Sequence, residues 1–267
     1  MVFKAKNFLF KDTKTYIMGI LNVTPDSFSD GGSYQSTTDA VNAALNMVKN
    51  GADIIDIGGQ STRPGSTIIS AEQEWERIEG VLSGLCKDKS FAISVDTFYP
   101  EVAKKALDLG ADIINDVSGT VSNPMAELVK KSGCGWIIMH SSKDGKNSPS
   151  QINEFFKGAE KKALDFGIEK EQLCFDAGIG FNKTSEQCYS IIKNTESTKL
   201  KDNFYLLGAS RKRCIGEPLG NIPASERDIG TAAANTIGIL GGANIIRVHS
   251  VKTARDTVLV ADAIKRG

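Results

Sequence analysis

The residues best able to do chemistry in this chain recur at one kind of place, the C-terminal end of a short, apolar, β-branched run. They are Asn22, Asp56, Asp96, Asn115, His140, Asp176, Ser210, and Arg247 with His249. Asp96, Asn115 and Asp176 can together pair with a flat heterocycle that offers several N–H donors, because a carboxylate only accepts and a carboxamide both donates and accepts. Arg63, Lys212, Arg247 and His249 form a cationic counterpart suited to phosphate, arginine as a planar fork and lysine as a point charge. Arg247 and His249 alternate on one strand, so their side chains share a face. One polar strand end can simply bond barrel backbone or cap a helix. Seven or eight converging on one mouth form a polar pocket.

The elements that must position these groups follow from a repeated pattern: an apolar run, a polar or glycine-rich turn, then an amphipathic stretch of helical period. The runs are Tyr16–Val23, Ala52–Gly59, Phe91–Thr97, Ile113–Ser118, Gly135–His140, Leu173–Ile179, Tyr205–Ser210 and Asn244–Ser250. Near-continuous apolarity, as in ADIIDIGG and ANIIRVHS, suits strands buried on both faces of a parallel sheet. Helical segments lie between them, among them Ala40–Lys49, Glu72–Cys86, Pro100–Leu109, Pro124–Lys131 and Thr253–Ile264. Pro100 and Pro124 suit a first helical turn, and Ser225 with Asp228 has the spacing of a capping box. GADII, at Gly51–Ile55 and again at Gly110–Ile114, reads as a repeated helix-to-strand turn with glycine at the helix end. Eight strands alternating with eight helices predict a single (β/α)₈ TIM barrel over residues 1–267, with an open doubly wound sheet as the runner-up. In such a barrel the strand C-termini carry the active site.

Two of the connecting loops, NVTPDSFSDGG and GGQSTRPGS, are rich in Gly, Ser, Thr and Pro and poor in packing residues, as catalytic loops often are. Ser141–Pro149 is polar and short enough to be a βα loop. There is no Walker A motif and no strand-borne G-x-G-x-x-G, and DAGIGF lacks a dinucleotide context. The chain has only two histidines. That count excludes a histidine-rich metal site, and His140 reads as a packing residue. The five cysteines form no C-x-x-C pair and read as free thiols of a reducing cytosol. Lys plus Arg and Asp plus Glu balance at 32 each, which gives no reason to expect nucleic acid or a membrane surface as partner. No signal peptide and no apolar stretch of about eighteen residues is read from the sequence.

MGILNVTPDSFSDGG, GADIIDIGGQSTRPG, ISVDTF, IINDVSG, FDAGIGFNKT, GASRK and IIRVHSV resemble, in order, the signature blocks of the dihydropteroate synthases, from about Ile17 to the last helix. The resemblance implies a pterin-binding barrel that condenses 6-hydroxymethyl-7,8-dihydropterin pyrophosphate with 4-aminobenzoate in folate biosynthesis. It assigns the pterin ring to Asp96, Asn115 and Asp176, with Lys212 reaching over it. The pyrophosphate falls to Thr62, Arg63, Arg247, His249 and Asn22, with Asn22 also a ligand of Mg²⁺. Phe28, Pro64 and Ser210 match positions near the aminobenzoate, where sulfonamides bind, and Asp30 matches a loop residue that helps close the site. A homodimer through barrel helices is also implied. Ala177, Ser250, the Ser141–Gly145 segment, Arg213 and Cys214 depart from the usual pattern, and Ser250 leaves the partner that orients His249 undefined. The resemblance further implies that pyrophosphate departs before the arylamine attacks, with Asp96 and Asp176 stabilising the resulting cation. Rival readings are a corrinoid-dependent methyltransferase that binds methyltetrahydrofolate and a non-catalytic pterin-binding module. The STRPG loop and the cationic cluster argue against both.

Overall fold

The computed structural model describes residues 1–24, 33–60, 67–87 and 89–267, with the side chains of 33–36 left aside. An antiparallel hairpin, β1 (Val2–Ala5) and β2 (Phe8–Lys11), precedes the barrel. Eight parallel strands then close on themselves: β3 (Tyr16–Asn22), β4 (Ile54–Gly58), β5 (Ala92–Asp96), β6 (Ile113–Asp116), β7 (Gly135–Met139), β8 (Leu173–Asp176), β9 (Phe204–Leu207) and β10 (Ile245–Val248). Each is joined to its chain neighbour, and β10 pairs with both β9 and β3. The surrounding helices include α1 (Ser33–Lys49), α2 (Ala71–Leu85), α3 (Pro100–Leu109), α4 (Asn123–Ser132), α5 (Pro149–Asp165), α6 (Ser185–Lys193), α7 (Thr195–Thr198), α8 (Arg213–Gly216), α9 (Asp228–Leu240) and α10 (Val251–Arg266). The barrel reading holds.

Side chains alternate across a strand, so one parity of each strand faces the lumen. At the N-terminal end these positions are apolar: Met18, Ile54, Ala92, Ile113, Ile137, Cys174, Phe204 and Ile245 form one buried cluster with Phe3, Ala5 and Phe10 of the hairpin. The hairpin is thus the plug of the barrel floor, a role the periodicity of the eight runs does not announce. Two residues further along, five of the eight strands place a polar side chain at the same parity, namely Asp56, Ser94, Asn115, Asp176 and Arg247, with Asp96 two residues beyond Ser94, while Ile20, Met139 and Leu206 keep the other three strands apolar. The polar layer therefore sits directly on an apolar one, at the C-terminal mouth. The other parity packs outward against the helices in a second, larger core.

The expected helix signals are mostly present. Pro100 and Pro124 occupy first-turn positions, and Gly51 and Gly110 have φ of 108° and 114°. The capping box expected at Ser225 is not formed. A short 3₁₀ turn takes up Ala224–Glu226, Arg227 is the N-cap residue of α9 without a side-chain cap, and the Asp228 carboxylate is held by Arg211 instead. Several strands end earlier than the apolar runs. β8 stops at Asp176 because Gly178 turns to φ 66° and packs against the His140 carbonyl, where a β-carbon would collide.

Candidate active site

Arg247 is the hub of the mouth. From β10 its Nε donates to Asp56 Oδ2 on β4 at 2.6 Å and its Nη2 to Asp96 Oδ2 on β5 at 2.7 Å. Asn115 of β6 donates its amide to the same Asp56 oxygen at 3.1 Å. This network crosses the lumen and fixes the orientation of both carboxylates. It also leaves Asp56 Oδ1, Asp96 Oδ1, Asn115 Oδ1 and Ser94 Oγ buried with no hydrogen-bond partner among the described residues. Buried polar atoms are rarely left unpaired. Four acceptor-capable oxygens in one layer constitute a floor built to receive N–H or O–H donors from outside the chain.

The electrostatics match that geometry. Burial pushes the Asp96 carboxyl up to about 7 against the pull of Arg247, and the nearby Asp56 adds to the rise. Burial also raises Asp176, against a 2.8 Å hydrogen bond from the Gly178 N–H to its Oδ1 and the charge of Lys212. Lys212 is shifted down by burial and by Arg247, with Asp176 and Asp96 opposing. Its ammonium stands 4.3 Å from the centroid of the Phe181 ring, so a cation and an aromatic face flank the entrance above Asp176. The neighbouring Arg211 sets the start of this loop. It adopts φ 58°, forks onto Asp228 at 2.7 Å through two nitrogens and receives Arg227 on its carbonyl.

Ser210 and His249 form the second pair at the mouth. The Ser210 hydroxyl lies 2.9 Å from His249 Nδ1, and its oxygen accepts the His249 backbone N–H at 3.2 Å. Ser210 thereby orients the imidazole that the replacement by Ser250 left without an obvious partner. Asn22 ends β3 opposite Gly58, whose own register partner is Asp96. A β-carbon at Gly58 would lie 3.9 Å from Asn22 Oδ1 and 3.5 Å from Asp96 Cβ, so the amide and the carboxylate flank this glycine from either side.

Asp96, Asn115, Asp176, Arg247, Lys212, Ser210, His249 and Asn22 are thus brought to one end of the barrel. Phe28, Asp30, Thr62, Arg63 and Pro64 lie outside the described residues. His140 is buried, its ring edge-on to Phe155 at 5.0 Å, and burial with the Lys183 charge lowers it to about 4. That is a packing residue that stays neutral. The sequence reading counted Asp56 among the polar strand ends without a specific task, and gave Phe181 no role. Asp56 carried a visible signal, an acid inside DIIDIGG at lumen parity. Phe181 looked like ordinary loop hydrophobicity. Behind the mouth Thr97 donates to Glu74 Oε2 at 2.8 Å, and burial lifts the Glu74 carboxyl to about 6.

The family model described as pterin binding enzyme matches residues 18–249. A dihydropteroate synthase of Synechocystis sp. is 40% identical over 263 residues, spanning 95% of this chain and 91% of its own length. The chain belongs to the dihydropteroate synthase family. Among solved members of the family, the synthase of Clostridium difficile in the presence of pteroic acid superposes with a TM-score of 0.90 at 40% identity, over 95% of this chain and 98% of that one. The Xanthomonas albilineans dihydropteroate synthase with 4-aminobenzoic acid gives a TM-score of 0.94 at 33% identity, over 100% of this chain and 98% of that one. Dihydropteroate synthases are transferases, and the fold described above is theirs. Among the described residues no helix is long and apolar enough to cross a membrane.

Proposed function

We propose that this chain acts as a dihydropteroate synthase, joining 6-hydroxymethyl-7,8-dihydropterin pyrophosphate to 4-aminobenzoate with release of pyrophosphate. The observation that carries the assignment of its site is the layer of unpaired buried acceptors over the apolar barrel floor, with Asp176 on the opposite wall. A pterin edge offers the N–H donors that Asp96 Oδ1 and Asn115 Oδ1 lack and further donors to the Asp176 carboxylate, whose Oδ1 already accepts the Gly178 N–H, and the ring face lies under Lys212 and Phe181. Arg247 then does two things. It holds Asp96 in place, and its charge offsets the cost of keeping that acid ionised beside Asp56.

The bond from the pterin methylene to pyrophosphate oxygen breaks, and the arylamine nitrogen forms the new C–N bond and sheds one proton. Positive charge that builds on the ring as pyrophosphate departs faces Asp96 and Asp176, fixed in a site with little water, where preorganised charge counts for most. As that charge develops it also lowers the proton affinity of Asp96, so the carboxylate form dominates when it is needed. Positioning and charge suffice, and no strong general base is required. On the pyrophosphate side the reading assigns His249, oriented by Ser210, together with Arg63 and Thr62. Phe28, Pro64 and Ser210 are assigned to the aminobenzoate pocket, and Asp30 to loop closure. Asn22 would contribute one hard oxygen ligand to a Mg²⁺ ion, which when bound neutralises pyrophosphate charge. Its carboxamide oxygen, close to Gly58 and Asp96 at the mouth, fits an ion that keeps water and takes phosphate oxygens for most of its shell.

The reading extends to a homodimer and a cytosolic location. Ile229, Ile237 and Leu240 on α9, and Leu259, Val260 and Ile264 on the adjacent α10, expose a set of large apolar side chains suited to a second copy. The five free thiols suit a reducing compartment. Calorimetry with the pterin pyrophosphate tests the site assignment. A folded Asp176→Ala protein should lose about 1–3 kcal/mol of binding, and unchanged affinity would remove Asp176 from the pterin site.

A further inference from the structure

Lys183 is 7% exposed, unusually buried for a lysine, and lies outside every role assigned above. It follows DAGIGF and begins the turn into α6. Its ammonium donates to the His140 carbonyl at 3.2 Å and to the Phe181 carbonyl at 3.1 Å. The first contact is to the end of β7 and the second is inside the β8–α6 loop. That loop needs holding, because Gly178, Gly180 and Asn182 all take left-handed conformations within five residues, with φ of 66°, 81° and 49°. The loop also carries two working parts, the Gly178 N–H on Asp176 and the Phe181 ring beneath Lys212.

We propose that Lys183 is a positioning residue of the site: its buried ammonium clamps the β8–α6 loop to the end of β7 and supplies, from behind, a charge that keeps the Asp176 carboxylate open to the pterin. The inference rests on Asp176 being a pterin acceptor, as argued above. The cations that face Asp176 are Lys212, Arg247 and Lys183. Arg247 is already spent on Asp56 and Asp96, and Lys212 lies over the Phe181 ring at the entrance. Among these described cations Lys183 is the one whose ammonium is anchored on two backbone carbonyls, those of His140 and Phe181. The other titratable groups around Asp176 are neutral: the Cys174 thiol and Tyr205 hydroxyl are pushed well up by burial. Lys183 itself faces Asp176, Lys212 and the Cys188 thiol, which a hydrogen bond to Cys214 draws down to about 7. Burial lowers Lys183 to about 8, against Asp176, so it is mostly charged at neutral pH.

The test is the pH dependence of 6-hydroxymethylpterin binding, followed by calorimetry from pH 4.5 to 9 for wild type, K183R, K183Q and K183M. K183R keeps the charge and should reproduce the wild-type profile. K183Q keeps a neutral donor and loses the charge. Its acid limb should move up by about half to one pH unit, which is about three- to tenfold weaker binding at the foot of that limb, and rejoin wild type on its alkaline side. K183M loses clamp and charge and should remain weaker at pH 8 as well. If K183M does not fold, K183Q and K183R decide. A folded K183Q whose acid limb overlays wild type, or a K183R that shifts as far as K183Q, overturns the proposal. D176N identifies which acid limb belongs to Asp176. Wild-type binding by D176N would remove the pterin assignment of Asp176 and the Lys183 proposal with it, whereas loss of the limb in D176N but not in K183Q would overturn the Lys183 proposal alone.

Discussion

Asp96→Asn separates what the site costs the fold from what it does for the ligand. The substitution keeps the shape of the side chain and an acceptor oxygen at the unpaired Oδ1 position, and it removes one charge from a layer holding Asp56, Asp96 and Arg247. In the folded chain the Asp96 carboxyl rises from 3.8 to about 7, chiefly by burial. At about 1.4 kcal/mol per pH unit, that gap puts about 4 kcal/mol on holding the ion at pH 8. Because the folded-state value is raised, the folded protein binds more protons than the unfolded chain between about pH 4 and pH 7. Stability must fall as pH rises through that window and then level off. Asparagine carries no such dependence. It forfeits one charge-assisted bond from Arg247, which offsets part of the gain. Asp96→Asn should therefore equal or fall below wild type at pH 4.5 and exceed it by about 1–3 kcal/mol at pH 8, while losing at least about tenfold in pterin affinity. Urea melts at half-unit pH steps measure the first effect, and calorimetry measures the second. A wild-type minus variant difference that stays constant from pH 4.5 to 8.5 would refute the claim that Asp96 is held as a costly ion for its ligand.

Arg247→Lys cannot serve Asp56 and Asp96 through separate planar donors, so denaturant melts should show a loss of about 1–3 kcal/mol. If Arg247 also reaches the phosphates, the pterin pyrophosphate will weaken more than 6-hydroxymethylpterin, and equal weakening would confine Arg247 to the carboxylate network. Ser210→Ala frees the His249 imidazole, which should weaken inorganic pyrophosphate by about 1–2 kcal/mol in calorimetry and leave 6-hydroxymethylpterin nearly unchanged. Gly178→Ala forces a side chain into a left-handed residue against the His140 carbonyl, and urea melts should show a loss of about 2–4 kcal/mol.

The barrel was legible because the eight apolar runs suit strands buried on both faces and almost every run carries a polar residue at its C-terminal side, where a parallel barrel opens its mouth. Asp96, Asn115 and Asp176 could be found because their parity matches the apolar residues two or four places earlier. The hairpin plug was not legible: VFKA and FLFK are four residues each, too short for period-two alternation to stand out. Helix α5 begins where the polar Ser141–Pro149 segment ends, and the reading gave it no bounds of its own, although Ser148 and Gln151 form its capping box. The failed cap at Ser225 shows the opposite error, a correct local spacing overridden by a tertiary ion pair between Arg211 and Asp228. Lys183 escaped notice, and Asp56 was read only as one polar strand end among several, because their importance lies in what they bond, Arg247, Asn115 and the His140 carbonyl, and those distances are set by closure.

The central claim is that this barrel mouth makes dihydropteroate. The direct measurement is steady-state release of pyrophosphate by the purified chain given 6-hydroxymethyl-7,8-dihydropterin pyrophosphate, 4-aminobenzoate and Mg²⁺. The account predicts turnover that requires both substrates, yields stoichiometric dihydropteroate, and is lost in a folded Asp176→Ala protein. Tight binding of the pterin pyrophosphate without any release of pyrophosphate would contradict it.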